Sequence, residues 1–164
     1  MMSASEVLSV LALLEEAGTE VTLAGGWGVD ALVGEETRAH GDLDLLHRQE
    51  QEPAVVAALA AAGYAETVDQ RPVRFVMSRP DGASVDLHPL RFAADGSAVQ
   101  SSFDPDEPFA YPADCFVRGT VGGRGVRCVS AARQADFHRG YEPRPQDLHD
   151  TALLRDRCGV TTHF

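Results

Sequence analysis

The sequence predicts a single domain, residues 1–164, of the α/β (α+β) class. Three observations point there. Apolar stripes with helical spacing alternate along the chain with short runs of strand character. Turn chemistry at Pro80-Asp81-Gly82 folds one strand back on the next. A short apolar run ends at the pair Gly25-Gly26, after which a helix is expected. A chain of 164 residues with 44% hydrophobic content is enough for one core.

Ser3 and Glu6 have capping-box spacing, and Val7, Leu8, Val10, Leu11 and Leu14 form one stripe ending at Gly18, which predicts a packing helix. The segment has no basic start and its apolar residues alternate with acids, so it does not read as a signal peptide. No run is long enough to span a bilayer, and a cytoplasmic location without membrane partners is expected. Val21 to Ala24 predicts a buried strand and Trp27 to Leu32 a short helix. Gly34 to Gly41 is a polar loop holding Thr37, Arg38 and His40, and Asp42 to Leu46 alternates acid and aliphatic residues as a second strand.

Pro53 to Ala62 predicts a helix stopped by Gly63, with proline at its start. Tyr64 to Val68 and Val73 to Ser78 read as strands, and Ser84 to His88 returns antiparallel to the second of these. Arg91 to Pro112 carries a weak signal, with a turn at Asp95-Gly96 and an acidic loop at Phe103 to Pro108. Gly119 to Gly125 predicts a hairpin leading to a strand over Val126 to Val129. Ser130 caps a helix through Arg139, and a final helix runs from Pro145 to Arg157 with Leu148, Ala152 and Leu153 inward.

The net charge of −11, from 25 acids against 14 bases, argues against binding a nucleic-acid backbone and favours a cationic small molecule. Cys115, Cys128 and Cys158 are odd in number and lack CxxC spacing, so they read as structural thiols.

The chemistry gathers between Leu23 and Leu46. On a strand, Asp42 and Asp44 project together, while Leu43 and Leu45 face the interior. Two carboxylates side by side call for a hard cation such as Mg2+. Gly25-Gly26 brings bare backbone amides toward a phosphate, and the following helix adds its positive end. Arg38 either reaches that phosphate or pairs with Glu35, Glu36 or a nearby acid. His40 orients a carboxylate or touches substrate. Asp30 caps, pairs with Arg38 or lies exposed, and Trp27 is more often core than a stacking platform. On the later strand Asp86 faces away from Val85 and Leu87, with His88 on its side.

Gly25-Gly26, Asp42-x-Asp44 and Asp86 together resemble the active-site pattern of the nucleotidyltransferase superfamily that includes DNA polymerase beta. The string GGWGVDALVGEETRAHGDLDL, with the late HRGYEPRPQDLHDTALL, is similar to its antibiotic-inactivating branch, the aminoglycoside 2''- and lincosamide nucleotidyltransferases. The resemblance implies the nucleotidyltransferase fold, a small mixed, mostly antiparallel twisted sheet with helices packed chiefly on one face. It implies two Mg2+ ions on Asp42 and Asp44, with Asp86 as a further ligand or as the base for the attacking hydroxyl. It places Gly25, Gly26, Thr37 and Arg38 on ATP or another nucleoside triphosphate, and His88, Tyr141 and Glu142 on the acceptor. The implied reaction moves a nucleoside monophosphate to a hydroxyl of a small antibiotic, releasing pyrophosphate. Short chains form shallow clefts, which leaves room for a homodimer that walls off the acceptor site. Two other readings are a same-fold enzyme that modifies a protein and a member that only binds nucleotide or antibiotic.

Overall fold

A computed structural model describes residues 1–164. The first helix, α1 (Ala4–Glu16), starts at Ser3, whose side chain accepts from the Glu6 amide while Glu6 reaches back to the Ser3 amide. Its buried face is Val7, Val10 and Leu14, the expected stripe. β1 (Val21–Ala24) runs directly into α2 (Gly25–Val33), with no intervening loop. β2 (Leu43–Arg48) begins one residue after Asp42 and continues two beyond the expected end at Leu46. α3 (Glu52–Ala61) then returns toward a hairpin of β3 (Ala65–Gln70) and β4 (Arg74–Ser78).

β5 (Ser84–Phe92) is longer than its sequence signal, because past His88 the apolar positions switch to the other face, at Leu90 and Phe92, and residues 90–92 find a partner. That partner is β6 (Ala98–Gln100), followed by β7 (Phe109–Tyr111); both lie in the stretch whose signal was weak. They are too short to show periodicity on their own. β8 (Phe116–Val121) and β9 (Arg124–Val129) form the glycine-rich hairpin, turning at Gly122 and Gly123 with φ of 55° and 78°. α4 (Ala131–Phe137) starts at its Ser130 cap and ends before Arg139, and α5 (Pro145–Cys158) closes the fold.

The strands form one sheet in the order β3-β4-β5-β2-β1-β9-β8, with β6 and β7 attached at the far end of β5. Only β1 with β9 and β2 with β5 run parallel, so the sheet is mixed and mostly antiparallel as expected. Alternation along β2 sends Leu43 and Leu45 to one face, where they join Leu14, Trp27, Leu59 and Phe75 in the main core with α1, α2 and α3. Trp27 is thus core, not a platform. The other face carries Asp44 and Leu46, and there Leu46, Leu90, Tyr111 and Val129 make a smaller cluster under β6 and β7. No helix is long and apolar enough to cross a membrane.

One expected face is wrong. In α5 the buried residues are Asp147, Asp150, Thr151 and Leu154, whereas Leu148 is 49% exposed and Ala152 and Leu153 are only partly covered. The apolar residues have the look of the inward stripe, but each buried polar group is satisfied, Asp150 by Arg38, Asp147 by Arg144 at the helix start and Thr151 by the Asp147 carbonyl, which removes the penalty of burying them.

Candidate active site

The acids are assembled by strand register. In the parallel pairing of β2 with β5, Asp44 lies opposite Asp86 and Leu46 opposite His88, so both carboxylates and the imidazole share one face. Ligand atoms of Asp44, Asp86 and His88 all lie within 4.8 Å of one another. Asp42 lines the same cleft from just before β2 but lies outside that tight group. Crowding by protein, then the charges of Asp44 and Asp86, push the Asp42 carboxyl above the usual carboxylate range. A site that strains to hold its negative charge, offers carboxylate oxygens and a ring nitrogen, and faces a solvent cleft fits a hard divalent cation.

The glycine pair is explained by contact. Gly25 has φ of 57°, and a Cβ there would run into the carboxylate of Asp44. A Cβ on Gly26 would meet the Arg38 guanidinium and the His40 ring. The glycines therefore let the start of α2 approach the acids closely, and no side chain caps the helix there. Its first amides face the cleft with the positive end of the helix dipole behind them.

Arg38 pairs with neither Glu35 nor Glu36 but with an acid of the cleft itself. Its Nε and Nη2 donate to the two oxygens of Asp150 on α5 at 2.9 and 2.7 Å, and this bidentate pair aims the guanidinium over Gly26. Arg74, on β4, holds Asp86 in the same way, donating from Nε at 3.0 and 3.1 Å and from Nη2 at 2.8 Å. His88 Nε2 lies 3.2 Å from Asp44. Its Nδ1 accepts from Gln100 Nε2 at 3.2 Å, and Gln100 Oε1 accepts from the Tyr111 hydroxyl at 2.7 Å, so β6 and β7 fix the ring. Burial alone would lower the His88 pKa; the Asp44 hydrogen bond and the charges of Asp44 and Asp86 outweigh it and raise it.

Three expected site residues stand elsewhere. The Thr37 hydroxyl donates to Asp30 at 2.5 Å and accepts from His149 at 3.0 Å, and Thr37 does not line the cleft. Tyr141 and Glu142 are exposed and line neither cavity beside the acids; the Tyr141 ring packs edge-on against Phe164 at 5.2 Å. The late string reaches the site through His138, Arg144, Gln146, Asp147 and Asp150 instead. Asp30 is buried and bonded to His40 at 2.6 Å, not to Arg38. Burial would raise the Asp30 pKa, but the His40 and Thr37 hydrogen bonds prevail and lower it. Arg74 and Asp150 were missed. The hairpin register around Pro80-Asp81-Gly82 placed Arg74 on the Asp86 face, and Asp147, Asp150 and Leu154 have helical spacing.

Two cavities meet at Asp44. A polar cleft of about 650 Å3 has no apolar side chain in its lining and contains Gly25, Gly26, Arg38, Arg74 and the three acids. A smaller cavity of about 230 Å3, walled partly by Leu46, Phe109 and Tyr111, shares Gly25, Asp44 and His138 with it.

Residues 6–154 match the family model of aminoglycoside-2''-adenylyltransferase. A lincosamide resistance protein of Staphylococcus haemolyticus is 29% identical over 150 residues, 92% of each chain. A 2''-aminoglycoside nucleotidyltransferase of Escherichia coli is 26% identical over 121 residues, which are 74% of this chain and 64% of that one. The solved lincosamide antibiotic adenylyltransferase LnuA, bound to lincomycin, superposes with TM-score 0.83 at 29% identity over 93% of this chain and 96% of its own. ANT(2'')-Ia in complex with adenylyl-2''-tobramycin shares the fold, with TM-score 0.77 at 20% identity over 95% of this chain and 89% of its own. The expected nucleotidyltransferase fold is therefore the observed one.

Proposed function

The chain belongs to the aminoglycoside-2''-adenylyltransferase family, and on that premise we propose that it transfers AMP from ATP to a hydroxyl of a small antibiotic, a lincosamide or an aminoglycoside, releasing pyrophosphate. The observation that carries the reading is the register that sets Asp44 opposite Asp86 beside an uncapped helix start. The residues fit two Mg2+ ions, with Asp44 and Asp86 as ligands and Asp42 completing the set. When bound, such ions would neutralise phosphate charge and clamp the attacking and leaving oxygens of an in-line displacement.

The chain's own groups do the rest. The amides of Gly25 and Gly26 and the Asp150-held Arg38 receive phosphate oxygens in the polar cleft. The acceptor hydroxyl oxygen bonds to the α-phosphorus as the bond from that phosphorus to the bridging oxygen of pyrophosphate breaks. The hydroxyl proton passes to the Asp86 carboxylate, which Arg74 must release to free its lone pairs. His88 steadies Asp44 from the acceptor side. Catalysis on this account is mostly positioning and charge neutralisation. The proposal includes a homodimer, to be read by light scattering.

Pyrophosphate release tests the reading. With ATP, Mg2+ and a suitable lincosamide or aminoglycoside, release should be rapid, and Asp44→Asn should lower it by about a hundredfold or more while circular dichroism stays unchanged. Folded wild-type protein that releases none with any member of either class would defeat it.

A further inference from the structure

Three arginines line the polar cleft, and they differ in how many of their nitrogens are already engaged. Arg38 gives Nε and Nη2 to Asp150 and Nη1 to the Ala39 carbonyl. Arg74 gives Nε and Nη2 to Asp86 and Nη1 to Gln70. Arg144 differs. Its Nε and Nη2 donate to Asp147 at 3.0 and 3.1 Å, while Nη1 has no partner in the protein. Its side chain is 67% exposed, against 24% for Arg38 and 29% for Arg74, so this is the guanidinium of the cleft that is free to follow a moving group.

The placement of Arg144 repeats that of Arg38. Asp147 and Asp150 are three residues apart on the inward face of α5, so their side chains are neighbours about 5–6 Å apart on the helix surface. Each acid is buried and each holds one guanidinium by its edge, so α5 presents two arginines to the cleft about one turn apart. The charge of Asp42 acts on both, which sets both beside the acids. A chain of linked phosphates can therefore touch the two at once. Arg38 stands over Gly26, on the α2 side. Arg144 stands at the start of α5, on the opposite wall with His138 and Gln146.

We propose that Arg144 binds the leaving pyrophosphate, its Nη1 donating to the terminal phosphates while Asp147 holds the other edge of the guanidinium. This rests on the transfer reaction proposed above, to which it adds a residue on the product side. When the bond from the α-phosphorus to the bridging oxygen breaks, the electron pair stays on that oxygen and the departing pyrophosphate gains one negative charge. A donor aimed where that charge develops stabilises the reacting complex more than the bound substrate. The rival role is structural, with Arg144 only neutralising Asp147 at the helix start. The Arg144 backbone amide also donates to Asp147, at 2.8 Å, and every side chain but proline keeps that bond, so the guanidinium can be removed with half of the cap in place.

Equilibrium calorimetry tests this without turnover. Pyrophosphate and, separately, AMP are titrated with Mg2+ into wild type, Arg144→Ala and Arg144→Lys. Arg144→Ala should weaken pyrophosphate binding about tenfold, as loss of a charge-assisted hydrogen bond predicts, and leave AMP binding unchanged. Arg144→Lys should recover part of the loss, because it keeps the charge without the fork. Arg144→Gln, which keeps a donor for Asp147 but no charge, provides the same comparison if the alanine variant does not fold. Unchanged pyrophosphate affinity beside a lowered melting temperature would overturn the assignment in favour of the structural role, as would equal losses of pyrophosphate and AMP. Wild type that binds pyrophosphate through Arg144 but transfers nothing would sink the proposed reaction and leave this assignment standing.

Discussion

At the scale of single residues, the site is built from groups that cost stability. Asp42 sits above the ordinary 3.8 because of the protein around it and then the charges of Asp44 and Asp86. A carboxyl with a raised folded pKa binds its proton more tightly in the folded state. Its stability penalty therefore grows as pH rises from the unfolded value through the folded one and is complete at neutral pH. Asp42→Asn, melted at pH 7 with chelator present, should unfold at a higher temperature than wild type while losing turnover; a lower melting temperature would contradict the charge crowding. Gly25→Ala adds a Cβ where φ is 57° and where the Asp44 carboxylate already stands. Strain of about 1 kcal/mol is expected at that φ, and turnover should fall far more than stability. Kinetics beside thermal melts would show it, and near-normal turnover would remove the close-approach argument. That Asp44 and Asp86 stand near one another beside a glycine start was legible in the sequence because strand alternation and glycine permissiveness are local rules. Thr37 and Tyr141 stand away from the polar cleft because their partners, Asp30 with His149 for the first and Phe164 for the second, are chosen by tertiary structure.

At the scale of elements, α5 supplies the support that the sequence hid. Asp150 projects from its inward face and accepts from the Nε and Nη2 edge of the Arg38 guanidinium. Asp150→Asn and Arg38→Ala should each raise the nucleotide KM by about tenfold with smaller effects on kcat, and the double variant should be little worse than either. Additive losses in the double variant would show that the two act separately. The inward acids carry no sequence signal of their own, because burial of a charge is legible only once its partner is known. β2 offers a different test through His47, which is buried against Phe75 at 5.7 Å. Burial pushes its pKa down, in spite of the Glu52 hydrogen bond. A histidine with a lowered folded pKa takes up its proton more readily when unfolded, so stability should fall as pH drops below about 6.5. Denaturant titrations at successive pH values should show that slope in wild type and less of it in His47→Leu; an equal slope in both would assign it to other groups.

At the scale of the whole molecule, the sheet divides the work between its faces. One face is filled by α1, α2 and α3 around Leu43 and Leu45, and the other presents Asp44, Asp86 and His88 between a polar cleft and an apolar pocket. The fold class and the mixed sheet were legible because the longer elements repeat their spacing. β6 and β7 were not, since three residues apiece carry no period, and with them the Gln100 and Tyr111 support of His88 stayed hidden. A net charge of −11 over the whole chain gives the approach of a cationic acceptor a long-range bias that salt screens. Its KM should accordingly rise between low and physiological ionic strength, whereas a flat response would confine the attraction to the site. The central claim is transfer of one nucleotidyl group to an antibiotic hydroxyl, and mass spectrometry reads it directly. After incubation with ATP and Mg2+, a lincosamide or an aminoglycoside should gain the mass of a single adenylyl group with wild type and none with Asp44→Asn; panels of both classes left unmodified by folded wild-type protein would contradict it.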